Sequence, residues 1–151
     1  MSIDASFDAF REKAELLYKK IGEVYCPYFK EKVAFNEKGI NHIKFKSLGF
    51  ARERKDQLMR LKNIHLAPRV LAETHTLQER ESKKEFIDVH TNTRNEKILK
   101  DITYYAFIAI LFDENIEKRV KVVVRQVSGG NKVFWSIIPC WGANDGGKKF
   151  R

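Results

Sequence analysis

The last third of the chain narrows the fold most, because side-chain character there has period two and turn residues recur at short intervals. "ITYYAFIAILF" (102–112), "RVKVVVRQV" (119–127) and "KVFWSII" (132–138) are runs of β-branched and aromatic residues, separated by "DEN" and "SGGN". Such side chains suit a pleated, half-buried surface, and short Gly/Asn turns join antiparallel neighbours. The runs predict a three-stranded meander, with "EFIDVH" (85–90) as an edge strand beside it. Upstream the period changes. Phe7, Phe10, Ala14, Leu17 and Ile21 recur at steps of three and four, which predicts an amphipathic helix over 6–21. "KVAF" (32–35) reads as a strand or a lead-in, and Asn36 is a fitting N-cap for a short helix through "EKGINHIKF". A basic helix follows over 52–63, and Pro68 suits the first turn of another. Helices first and sheet second is an α+β class: N-terminal helices packed on one face of a C-terminal antiparallel sheet of about four strands. No linker or repeat divides the chain, so 1–151 reads as one domain. It comprises an N-terminal helix (1–23), a basic helical part (24–75), the sheet (85–141) and a flexible tail (142–151).

The formal net charge of +9 is unevenly placed. Residues 38–69 hold nine basic and two acidic side chains, a net of +7. Such a block is an electrostatic footprint for a polyanion, or else a solvated helix face or a surface for an acidic protein. Lys38, His42 and Lys46 share one helix face at four-residue spacing, opposite Ile40 and Ile43, and Arg52 and Lys55 extend the positive surface. No apolar run reaches the roughly 20 residues of a membrane span, and the N-terminus lacks a signal-peptide pattern. Cys26 and Cys140 are the only cysteines and form no framework, so reduced thiols in a cytoplasmic protein are expected. His65, His75 and His90 are too irregularly spaced for zinc, so neither a metal nor a cofactor is expected.

Parity within the hairpin carries the next inference. If Gly129-Gly130 is a two-residue turn, Val124 lies opposite Trp135, Val122 opposite Ile137 and Gln126 opposite Val133, an almost wholly apolar face for the core. The other face then holds Lys121, Val123, Arg125 and Val127 against Lys132, Phe134, Ser136 and Ile138. Tyr104 joins that face if "DEN" closes an even-numbered loop, and Tyr105 if it closes a three-residue loop. An arginine on a partly covered face needs an anion: a phosphate or carboxylate ligand, or an internal carboxylate such as Glu53 or Asp56.

The order of these parts, "VAFNEKGINHIKF", "RLKNIHLAPRVL", "VVVRQ", Gly-Gly and "FWSIIP", resembles the barnase–EndoU–colicin–RelE-like superfamily, in its phage- and mobile-element-associated branch, over roughly residues 24–141. The resemblance implies a metal-independent endoribonuclease of a kind that includes toxins cutting transfer or messenger RNA, with an acidic antitoxin or immunity protein as the partner. It singles out His42, Arg125 and Ser136. The implied reaction is attack of the ribose 2′-hydroxyl on the adjacent phosphorus, giving a 2′,3′-cyclic phosphate and a 5′-hydroxyl. His42 would exchange protons, Arg125 would clamp the phosphate with Lys44 or Lys121 adding charge, and Ser136 would donate a hydrogen bond. Lys38, Lys46, Arg52, Lys55, Lys121 and Lys132 would hold the RNA backbone. Phe134 with Tyr104 or Tyr105 would stack a base, while parity assigns Trp135 to the core. The general base has no assignment. The competing functions are a non-catalytic RNA- or DNA-binding domain of the same fold and a basic protein-interaction domain.

Overall fold

A computed structural model of the protein describes residues 3–47, 50–90 and 93–139; the expected tail and Cys140 lie outside these. The elements in chain order are α1 (Ile3–Ile21), β1 (Glu23–Cys26), β2 (Glu31–Ala34), α2 (Glu37–Lys44), β3 (Phe45–Ser47), β4 (Phe50–Ala51), α3 (Arg54–Asn63), a 3-10 turn (Ile64–Leu66), α4 (Ala67–Glu73), β5 (Glu79–His90), β6 (Asn95–Asp113), β7 (Ile116–Val127) and β8 (Lys132–Pro139). The class is α+β. Local signals start the helices as expected: the Asn36 side chain accepts from the Lys38 N–H at the head of α2, and Pro68 occupies the first turn of α4.

The sheet has six strands in the order β1-β2-β8-β7-β6-β5, which corrects the expected four. The extra pair is the hairpin β1–β2, whose strands are four residues each, too short for a periodic signal. It joins β8 through one parallel pair, Ala34 with Val133. The edge strand also starts six residues before the expected 85, at Glu79, because both alternating sets in "ERESKK" are polar.

Two turns set the register that matters. Between β6 and β7 the loop is Glu114-Asn115, both at positive φ, so Asp113 faces Ile116 and Tyr104 faces Arg125. The even-numbered alternative therefore holds. Between β7 and β8 the expectation fails twice. Gln126 pairs with Lys132 and Val124 with Phe134, which makes the loop three residues long, with Gly129 at φ +77° where a side chain would be strained. A bulge at Trp135 then restores the anticipated pairs Val123–Ser136 and Val122–Ile137. The two one-residue shifts cancel beyond the bulge and invert parity inside it.

The main core joins Ala14 and Tyr18 of α1, Ile40 and Ile43 of α2, Leu61 of α3, Val70 and Leu71 of α4, and Val122, Val124, Phe134 and Ile137 of the sheet. Gly39 makes the closest approach. A Cβ there would sit 2.5 Å from the Phe134 carbonyl oxygen, so α2 lies against β8 without a spacer. A second, smaller cluster of Ile102, Tyr104, Ala106 and Val123 takes the opposite parity of β6 and β7, with Trp135 and Ile138 packed against it.

A candidate anion site around Trp135

The bulge turns Trp135 toward the side of the sheet that carries Arg125 and Tyr104. The Arg125 guanidinium lies over the indole, 4.5 Å from its centroid, and its positive charge beside the Tyr104 phenol favours the ionised form of that group. Its Nε is buried without an acceptor, and among the described residues it forms no ion pair. Burial, followed by the hydrogen bond to Glu85, pushes the Tyr104 phenol up to about 12. Tyr104 therefore stays protonated and donates to Glu85 Oε2 over 2.8 Å. Lys83 of β5 sits 5.1 Å from the Tyr104 ring.

The helical side supplies the imidazole. His42 stacks on Trp135 with ring centroids 4.3 Å apart and planes 21° apart. Adding 4.3 and 4.5 Å puts the imidazole and the Arg125 guanidinium no more than about 9 Å from each other. Arg52 fixes the ring: its Nε donates to the His42 carbonyl at 2.9 Å, and its Nη2 lies 3.1 Å from His42 Nε2. A guanidinium only donates, so Nε2 is assigned as the acceptor and the ring proton to Nδ1.

Arg52 belongs to a charge ladder at i, i+4 spacing with Asp56 and Arg60. Burial would raise the Asp56 carboxyl, but Arg60 at 2.9 Å and Arg52 at 3.4 Å outweigh it and hold the group below the usual aspartate value. Burial, and then the nearby Arg60, lower Arg52, while Asp56 opposes both. Arg60 also donates to Ser136 Oγ, which is fully buried. The ladder thus ties α3 to β8 and points Arg52 at His42.

Of the sequence-derived site residues, the fold brings together His42, Arg52, Arg125, Tyr104 and Ser136. Ser136 has no solvent access and already accepts from Arg60, so it is a structural hydroxyl rather than a ligand donor. Lys44 sits two residues, about 200°, round α2 from His42, and pairs with Glu15 of α1 at 2.9 Å. Lys121 shares the Arg125 face, but four residues along a strand is about 13 Å, and it pairs with Glu79 at 3.3 Å. Register removes the other three, the inverted parity of β8 for Phe134 and Lys132 and the two-residue β6–β7 turn for Tyr105. Phe134 is fully buried and stacks on Phe35, Lys132 pairs with Glu31 over the Phe29 ring, and Tyr105 packs on Phe29. Lys38 and Lys55 are exposed, and the Lys46 side chain lies outside the described residues. Sequence reasoning missed Trp135, Arg60 and Glu85. The 52–56–60 charge spacing was legible in the sequence; the bulge had no signal there.

Among the described residues no group of three or more His, Cys, Asp or Glu is placed to hold a metal ion, and no helix is long and apolar enough to cross a membrane. No protein family, curated protein or solved structure matches the chain.

Proposed function

We propose that the protein binds RNA phosphate at Arg125 and cleaves the RNA as a metal-independent endoribonuclease. The observation that carries this reading is the Arg125 guanidinium, held on Trp135 within reach of His42 yet neutralised by no described carboxylate. A guanidinium so placed has donors aimed for a phosphate and a counter-charge still to find. The +7 block over 38–69, with exposed Lys38 and Lys55, raises the local concentration of a polyanion.

The reaction class rests on the resemblance of the motif order to the barnase–EndoU–colicin–RelE-like superfamily. In this reading Arg125 stabilises the charge developing on phosphorus, and Glu85 accepts the 2′-hydroxyl proton as its hydrogen bond from Tyr104 loosens. His42 protonates the leaving 5′-oxygen, which requires Arg52 to release Nε2 so that the ring can take up a second proton. Binding needs only Arg125 and the positive block. That asymmetry supports a second reading, RNA binding without cleavage, which the His42–Arg52 contact favours. An acidic antitoxin or immunity protein fits the same positive surface.

Labelled transfer RNA incubated with the pure protein in EDTA separates the two. Cleavage to 2′,3′-cyclic phosphate ends, lost in both Arg125→Ala and His42→Ala, supports the nuclease. RNA that is bound but uncut assigns the second reading, and RNA neither bound nor cut removes both.

A further inference from the structure

β7 ends opposite Ile102, but β5 and β6 stay paired for seven more positions, from Lys84–Asp101 to His90–Asn95. The extension is a two-stranded arm open on both sides, along β5, which ends the sheet, and along Asn95–Asp101 of β6, beside which no described strand lies. A ribbon of two strands is marginal in water by itself. This one also exposes apolar side chains: Phe86 at 69% opposite Leu99 at 50%, and Ile98 at 37% opposite Ile87. Native edges are normally covered or blunted with charge; the β6 edge carries Glu96, Lys97, Lys100 and Asp101 but leaves Ile98-Leu99 at its middle.

Backbone directions restrict what can cover it. The Ser128 N–H donates to the Asp101 carbonyl at 2.8 Å, on the β7 side. Gln78 reaches Ala106 and Ile108 from the β5 side. Odd-numbered residues of β6 therefore turn their N–H and C=O groups to the open edge, and even-numbered ones to β5.

We propose that this edge is a self-association surface, occupied by the same segment of a second copy running antiparallel about Ile98. Only odd-to-odd pairing satisfies the backbone, and three two-fold registers of that kind pair at least five of the seven edge residues. Centring on Lys97 sets two ammonium groups against each other. Centring on Leu99 needs Thr103, which already pairs with Gln126 of β7. Centring on Ile98 uses Asn95–Asp101 and avoids every residue paired with β7; Lys97 and Leu99 pair in full, while Asp101 meets Asn95 through its N–H, since its carbonyl already accepts from Ser128. It sets Glu96 of each copy opposite Lys100 of the other, two opposite-charge pairs per dimer. It also runs an apolar stripe from Ile87 through both Ile98 side chains to the second Ile87. Glu96 holds Arg94 at 2.6 Å within one chain, but that arginine is 74% exposed and the contact competes weakly. The occupant is not nucleic acid, because residues 83–101 carry five basic against four acidic side chains. A two-fold axis normal to the sheet places both Trp135 sites on the same side of one continuous sheet.

Sedimentation equilibrium of the full chain, from about 10 µM to 0.5 mM, tests this. The wild type is expected to reach twice its 17.7 kDa mass. Glu96→Lys and Lys100→Glu are each expected to weaken association about tenfold, since each sets like charges opposite one another twice. An equimolar mixture of the two variants is expected to recover the dimer, because each new charge then meets its opposite on the other chain. Recovery on mixing excludes a misfolded arm as the cause of the loss. A wild type that stays monomeric across the range overturns the proposal. So does a dimer indifferent to both substitutions, or variants that remain apart when mixed.

Discussion

Ser136→Ala separates a hydroxyl that holds the fold from one that meets a ligand. Ser136 is fully buried and accepts from the buried Arg60. A hydrogen bond to a charged group contributes a net of about 1.5–3 kcal/mol. Arg60 keeps its contact with Asp56 at 2.9 Å, so the lower part of that range, about 2 kcal/mol, applies. For a chain of 151 residues that loss lowers Tm by about 4–8 °C. A double-mutant cycle with Arg60→Met should return a coupling of about 1–2 kcal/mol between the two positions. Fluorescence anisotropy with labelled RNA should find the affinity of Ser136→Ala within about twofold of wild type, a change under 0.5 kcal/mol. An unchanged Tm together with a tenfold loss of RNA affinity would show that the hydroxyl faces the ligand, and the assignment of Arg60 as its partner would be wrong.

Gly39→Ala places a methyl group 2.5 Å from the Phe134 carbonyl oxygen and 2.6 Å from the Tyr18 hydroxyl. Overpacking of about 2 kcal/mol exceeds the gain of about 1 kcal/mol in helix propensity, so urea melts should record a net loss near 1 kcal/mol. Asp56 titrates below the usual aspartate value in the fold, so its ion pairs stabilise fully above 3.8 and fade as pH falls through the lowered folded value. Wild type should therefore exceed Asp56→Asn in urea stability at neutral pH and lose that lead well below 3.8; a lead that survives in acid would sink the assignment. RNA cleavage in EDTA should match cleavage without it, and a loss would point to a metal in the reaction.

The helices and the three strands of the meander were legible in the sequence because each has a strong local signature. The apolar stripe of α1, the Asn36 cap, Pro68 and the β-branched runs all act within a few residues. β1 and the first half of β5 were not, and β2 was one of two readings of "KVAF", since their pairing depends on partners far away in the chain. The site was half legible. Arg125 and Tyr104 follow from the two-residue Glu114-Asn115 turn, which preserves parity between β6 and β7. Trp135 and Phe134 exchanged roles because a three-residue loop and a bulge each shift the register by one. In a strand whose two faces are both apolar, alternation carries no information that opposes such a shift. Arg52 was anticipated as a surface contact for RNA. It is buried instead, because the 52–56–60 face at the start of α3 turns inward, where His42 of α2 meets the Arg52 guanidinium and Ser136 of β8 that of Arg60.

The most direct measurement is the affinity of wild type and Arg125→Ala for a 2′-O-methyl RNA, which cannot be cleaved, over a series of salt concentrations. If the guanidinium on Trp135 takes a phosphate, the variant binds at least about tenfold more weakly and its log–log salt slope is shallower by about one. Equal affinities and equal slopes would contradict the account, and would leave Arg125 as a prop for the indole alone.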